Sequence, residues 1–389
     1  MRSLGAVRRL RAGPFRQDAF DSPLHSTRTA AILGVCLGVS FSVCFATGLV
    51  SHTLQHPQGW FSWGPRPAGL YRFTQGLHVA TGVASIPLLL AKLWTVYPRF
   101  WSWPPIASVA QALERLSLLP LVGGAAFQLF TGTINIAYWY TPMPFFFTEA
   151  HYWAAWITIG ALVVHIGAKV TTTRTALFGG DAPNDAAVGS GGLSRRGFIG
   201  TIAAASGVLV VATVGDTLRP LNKVSVLGPR NLDTGPQGLP VNRSAIQAGV
   251  VDIAHDPAYR LRVEGAVRHP IELTLAQLRA MPQHEATLPM ACVEGWSYSA
   301  RWRGVRVRDL MARAGSAPGA QARVESLETR GIYAVSLLNQ HQASDPDTLL
   351  ALEVNGEKLA LDHGYPVRLI APNRPGVLQT KWVHRVVVL

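Results

Sequence analysis

Cysteine and charge are what this chain has least of. Among 389 residues there are three cysteines, and 15% of residues are charged. Three cysteines cannot build a disulfide framework, and two of them, Cys36 and Cys44, share one apolar run, which argues against disulfide stabilisation. Acidic residues are scarcer than basic ones, 22 against 35, for a formal charge of +13. The early Arg and Lys flank apolar segments and form no basic face with interleaved aromatics, so the charge reads as membrane topology and argues against nucleic acid as a partner. No internal repeat is evident. What the chain has in excess is apolar residues, 48%, too many for an ordinary soluble protein and concentrated in the first 217 positions.

Five runs qualify as membrane spans: 29–51, 73–91, 116–138, 150–168 and a shorter one at 197–214. At 1.5 Å per residue the first is long enough to cross about 30 Å of hydrocarbon. It follows Arg2, Arg8, Arg9, Arg11, Arg16 and Arg28, and its length and lack of a small-residue cleavage site argue against a removed signal peptide. Lys and Arg number thirteen on the segments of one side and two, Arg66 and Arg72, on the other. That asymmetry places the N-terminus in the cytoplasm and everything after the fifth span outside, on the periplasmic side of a bacterial cell membrane, with the lipid bilayer as partner.

Between the fourth and fifth spans, 178–192 is a polar, Gly-rich linker. It leads into Ser194, Arg195, Arg196, Gly197, Phe198 and Ile199, which resembles a twin-arginine export signal in an internal position and implies the export machinery as a partner. The plainer alternative is two positive-inside arginines ahead of any helix. From 219 onward short apolar runs alternate with turn residues. Period-two patterns at 259–265, 305–308 and 383–389 predict strands, and 275–279 and 307–313 predict short helices, giving an α+β domain of about 170 residues. The expected organisation is a membrane domain at 1–172, a linker and anchoring helix at 173–218, and an extracytoplasmic domain at 219–389.

Ionisable side chains inside spans are costly and mark function. His151 and His165 share the fourth span 14 positions apart. At 100° per residue both rings project from nearly one face, roughly 21 Å apart along the axis. His78, in the second span, matches the depth of His151, and His25, before the first span, matches that of His165. Inward histidines of a four-helix bundle are a known way to hold haem iron. This layout resembles the di-haem cytochrome b subunits of formate dehydrogenase and hydrogenase over 24–171, with His25, Thr47, Gly48, Gly76, Leu77, His78, His151 and His165 as the matching residues. The resemblance implies two b-type haems ligated by these four histidines, and quinone or quinol as partner. His52 and His56 read as solvated loop residues. Arg72 and Lys92 read either as partners of haem propionates or as boundary charges.

A lone cysteine is more often an inert small hydrophobe than a reactive group, and Cys292 is the only one in the last two thirds of the chain. Its surroundings change that reading. LPVNRS at 239–244, LRVEG at 261–265, MACVEGWS at 290–297, Asn355-Gly356, DHGYPVR at 362–368 and Lys381-Trp382 occur in the order and spacing of the molybdopterin-binding domain of the sulfite oxidase family, which they resemble over 239–389. The resemblance implies that Cys292 ligates molybdenum and that Asn242, Arg243, His363, Arg368 and Lys381 hold the pterin, with Ser326 and Tyr333 in the region of a pocket residue. Gly364 and Gly376 would let backbone approach the cofactor. A soft thiolate suits the metal, and fixed cations suit a phosphate.

Animal and plant sulfite oxidases place an arginine five residues after the cysteine, where this chain has Ser297. The shorter form and CVEGW are similar to the bacterial methionine sulfoxide reductase catalytic subunit. The expected protein is a four-helix haem bundle with a fifth anchoring helix, followed by an α+β molybdopterin domain. Electrons would pass between quinone and molybdenum through the haems, and a small S-oxide or N-oxide would give up an oxygen atom. Two alternatives stay open: a sulfite-like oxidase running in the opposite direction, and a non-enzymatic electron-transfer or redox-sensing scaffold.

Overall fold

The computed structural model describes residues 22–57, 60–101, 106, 108–179, 193–228, 235–332 and 334–389. Arg2 to Arg16, most of the Gly-rich linker and Tyr333 lie outside the described residues. The chain divides into two compact units, one of Met1–Gly48, Leu77–Val214 and Val224–Gly228, the other of Leu49–Gly76, Gly215–Lys223 and Pro229–Leu389.

The first unit is helical. Helices α1 (Thr27–Gln55), α2 (Leu70–Phe100), α3 (Val109–Ile136), α4 (Phe147–Phe178) and α5 (Arg195–Thr213) fall where the five apolar runs predict them. All five are long and apolar enough to cross a membrane. Their hydroxyls are satisfied within the helix: Thr47, Thr81, Thr131 and Thr158 each donate to the carbonyl four residues back. An apolar surround requires that arrangement. Most helices run past the apolar cores of their spans, α2 by nine residues to Phe100. Helix α3 stops at Ile136 because Tyr138 takes a φ of 56°. Helix α4 runs ten residues past the expected end; no Gly or Pro interrupts 168–178, and Lys169 pairs with Glu114 at 2.5 Å. Helix α5 starts at Arg195, because the Ser194 hydroxyl accepts the Gly197 N–H at 3.1 Å, so both arginines occupy its first turn.

The second unit is built on two five-stranded sheets. One has the order β2 (Ile271–Thr274), β1 (Arg260–Gly265), β10 (Val383–Val388), β5 (Ala322–Ser326), β6 (Val335–Leu338), with β1 and β10 parallel and the remaining pairs antiparallel. The other runs β3 (His284–Ala291), β4 (Ser297–Arg306), β7 (Leu349–Val354), β8 (Glu357–Lys358), with β9 (Arg368–Ile370) also on β7. Leu261, Val263, Leu310, Leu350, Leu369 and Val386 form their shared core. The alternation at 305–308 is only half strand. Val305 and Arg306 end β4, and Val307 opens a helix, Val307–Arg313, that buries Val307, Leu310 and Met311. Arg306 keeps extended backbone as the helix N-cap, and the i, i+3, i+4 spacing of Val307, Leu310 and Met311 belongs to the helix.

This unit also contains the Leu49–Gly76 segment. Leu54 and Tyr71 pack against Ala291. The Asn373 side chain accepts the Tyr71 N–H at 3.0 Å and donates to the Gly64 carbonyl at 2.8 Å, while Arg66 pairs with Asp345 and Asp347. Asn373 is buried and holds a φ of 50°, which asparagine tolerates better than most residues. Asn373→Ala is expected to lower stability by about 2–3 kcal/mol in thermal or denaturant unfolding, with Asn373→Gly recovering the backbone part.

Candidate functional site

Cys292 is the residue that leaves β3. Its carbonyl accepts the Gly295 N–H at 3.1 Å, its own N–H reaches the Trp296 carbonyl at 2.9 Å, and β4 begins at Ser297. Gly295 takes a φ of 89°, which the turn requires. The cysteine is fully buried, with the Asn242 amide donating to Sγ at 3.6 Å and a Glu294 carboxylate oxygen at 3.7 Å. Burial, then the charge of Glu294, pushes the thiol well above its ordinary pKa. Without a cation on sulfur it is a neutral thiol; a soft metal ion would deprotonate it on binding.

Around it lie polar groups whose hydrogen bonding is incomplete. Buried Arg368 donates from Nη1 to the His363 carbonyl at 3.2 Å and from Nη2 to Met290 Sδ at 3.3 Å, and its Nε has no partner among the described residues. His363 sits 2.6 Å from the Pro236 carbonyl through Nε2, so that nitrogen carries the proton and the buried, unpartnered Nδ1 is an acceptor. Burial, with Arg368 next in weight, lowers its pKa to about 4. His363 therefore meets a ligand as a neutral acceptor, whereas the resemblance groups it with cationic phosphate donors. Lys381 donates to the Arg243 carbonyl at 2.8 Å, and burial followed by Arg368 lowers its pKa to about 7. A Cβ on Gly364, where φ is 104°, would meet Lys381 and Arg368 at 3.1–3.2 Å, and one on Gly376 would lie 3.2 Å from the Ala291 carbonyl. A side chain at either position would press these segments apart by a few tenths of an ångström.

The profile described as oxidoreductase molybdopterin binding domain matches residues 248–389. The C-terminal unit carries a molybdopterin-binding domain of the sulfite oxidase family. Sulfite oxidase from Gallus gallus is 34% identical over 160 residues, covering 34% of this chain and 35% of that protein. Mitochondrial sulfite oxidase from Drosophila melanogaster is 31% identical, covering 36% of this chain and 28% of that protein. The chain thus spans about a third of the length of the curated relatives it matches. The crystal structure of the sulfane dehydrogenase SoxCD from Paracoccus pantotrophus is 27% identical over 34% of this chain and 38% of that chain, with a TM-score of 0.31.

The residues of the molybdopterin domain fit a bound pterin. Asn242 and Cys292 touch, and Arg368 and Lys381 flank Gly364 beside His363. Two expected residues act at one remove. Arg243 spends its guanidinium on Glu328, and the Ser326 hydroxyl donates to the Lys381 carbonyl while accepting the Glu328 N–H, so Ser326 braces the lysine. Arg374 was not singled out in the sequence. It is buried, gives Nε to the Leu378 carbonyl at 2.9 Å and Nη1 to the Leu337 carbonyl and Gln342, and leaves Nη2 unpartnered among the described residues; burial lowers its pKa to about 9. The one available signal was its place two residues before Gly376. Ser297 is buried with its hydroxyl unpartnered among the described residues, and its N–H donates to the carbonyl of Asp216, whose carboxyl pKa burial raises.

Lys381 sets a pH dependence. An anionic ligand favours its protonated form, so ligand retention should be greatest below about 7 and fall as pH rises through that value. Pterin fluorescence released from purified protein between about pH 6 and 9 measures this. Lys381→Arg, protonated throughout, should flatten the curve.

In the helical unit, His78 on α2 and His151 on α4 face each other with ring centroids 6.2 Å apart. One iron shared by two imidazoles needs two metal–nitrogen bonds of about 2 Å plus two ring radii slightly over 1 Å, roughly 6.3 Å in all. The centroid separation matches that length, with the two ring planes 71° apart. His25 lies in the short turn Pro23–His25, its ring 4.4 Å from that of Trp94. His165 is on α4 as expected, with Nδ1 buried and unpartnered among the described residues. Lys92 donates to the Ala30 carbonyl at 2.5 Å and Arg72 to the Ser299 hydroxyl at 2.8 Å.

Proposed function

We propose that this chain is a membrane-bound molybdenum-cofactor oxidoreductase that links the quinone pool to an extracytoplasmic molybdenum site through two b haems and reduces an S-oxide or N-oxide. The observation that carries the reading is a buried, neutral Cys292 thiol, held by Asn242, inside a matched molybdopterin domain that also buries His363, Arg368 and Lys381. When bound, the molybdenum centre supplies oxygen-atom exchange and the haems supply one-electron relay. The chain's own residues hold and orient. Cys292 supplies the soft ligand, Asn242 steadies its sulfur, Arg368 and Lys381 offer donors to anionic oxygens, His363 Nδ1 accepts from a ligand N–H, and burial keeps water from the sulfur. His78 with His151, and His25 with His165, are the iron ligands. Five apolar helices and the asymmetry of thirteen basic residues against two support a multi-pass topology with the N-terminus cytoplasmic and the molybdopterin domain outside. The twin arginines at the start of α5 support export through the twin-arginine machinery.

A second reading is a sulfite-like oxidase feeding quinone, favoured by the printed names of the curated relatives. Ser297 speaks against it. Where those enzymes hold an arginine, this chain places a buried serine hydroxyl, and the nearby Arg219 is paired with Asp216 at 3.8 Å and stacked over Tyr298. A molybdenum and haem count on the purified protein, followed by a screen of S-oxides and N-oxides with quinol and of sulfite with quinone, separates the readings. Molybdenum near one per chain with S-oxide or N-oxide turnover is the expected result. Sulfite-dependent quinone reduction alone would reverse the direction, and absence of molybdenum would leave an electron-transfer scaffold.

A further inference from the structure

The paired imidazoles of His78 and His151 are fixed through their other nitrogens. Nδ1 of His78 lies 2.8 Å from the Cys44 carbonyl oxygen, which can only accept, so Nδ1 carries the proton. Nδ1 of His151 lies 3.1 Å from the Thr131 hydroxyl oxygen. That hydroxyl has one proton and directs it to the Phe127 carbonyl at 2.7 Å, so towards His151 it acts as the acceptor. Both rings are thereby held as Nδ1–H tautomers, and both Nε2 atoms keep a lone pair for a metal. The His151 backbone is fixed as well, since Gln128, one turn before Thr131, donates to its carbonyl at 2.8 Å.

We propose that Thr131 is the positioning residue for His151 as an iron ligand. It sets the tautomer, fixes the ring plane and, by accepting from Nδ1–H, raises the electron density that Nε2 offers to iron. Helix α3 carries no ligand histidine, yet through Thr131 it takes part in the site. The proposal rests on the haem reading above.

The test uses the full-length protein in detergent, with Thr131→Val, Thr131→Ala and Thr131→Ser compared with wild type. The haem of the His78–His151 pair, the outer haem, is first assigned as the signal missing in His151→Ala. Loss of the acceptor weakens ligand donation and so destabilises the ferric state. In the Val and Ala variants the outer haem should show a raised midpoint potential and shifted low-spin electron paramagnetic resonance g-values, while the other haem signal and the molybdenum content stay unchanged. Thr131→Ser should restore both properties. A wild-type potential and g-values in Val or Ala would overturn the role of Thr131 while leaving haem ligation intact. If Val does not fold, Ala, which cannot clash, decides alone. Wild-type protein without haem would overturn the haem reading and this proposal together.

Discussion

Cys292→Ser is expected to yield a folded protein that keeps its haem spectrum but has lost molybdenum and, with it, at least about 100-fold of turnover. The exchange is nearly isosteric, so the buried turn closed by Gly295 and Trp296 persists. What changes is the donor atom. A hydroxyl is a harder ligand than a thiolate and far more reluctant to lose its proton, and in this setting even the thiol is held protonated by burial and Glu294. Metal analysis, reduced-minus-oxidised spectra and turnover on one preparation check the three parts together. Wild-type turnover in this variant would remove Cys292 from the chemistry.

His151→Ala is expected to do the converse, losing about half of the haem while molybdenum stays. Turnover driven by quinol should fall to background. Turnover driven by a small soluble reductant that reaches the molybdopterin domain directly should survive. His78→Ala should behave the same way, because the two rings form one pair. Full haem content in either variant would break the ligand assignment.

These expectations could be framed from the sequence because the informative patterns are local. Apolar runs found all five long helices, since a span needs only length and an absence of charge. The 14-residue interval on α4 set His151 and His165 on one face, and His78 emerged as the partner of His151. MACVEGWS and DHGYPVR pointed to the residues around Cys292. What stayed hidden depends on contacts far apart in sequence. Arg374 looked like a loop cation, and only the carbonyls of Leu337 and Leu378 closing on it make it a buried one. The tautomer of His363 follows from the Pro236 carbonyl, 127 positions away, and its neutral state from burial beside Arg368. Thr131 is one threonine among many until its hydroxyl is seen beside His151. Ser326 was grouped with ligand contacts, but its hydroxyl is committed to the backbone on both sides. The extra length of α4 follows from the absence of Gly or Pro between 168 and 178, which a search for apolar runs does not register.

The Leu49–Gly76 segment carries a consequence for how the protein comes to be made. The unit that contains Cys292 is discontinuous, assembled from chain preceding α3, chain following α5 and the whole C-terminal stretch. Asn373, which receives Tyr71 and Gly64, leaves the ribosome some three hundred residues after them. The early segment must therefore wait, already synthesised, until the last part of the chain arrives, and the loop closed between them is long and entropically costly. Cutting the chain at 219 to obtain a soluble catalytic fragment would leave Ala291 without Leu54 and Tyr71 and Asn373 without its partners, so supplying residues 49–76 as a separate peptide should restore the fragment's stability.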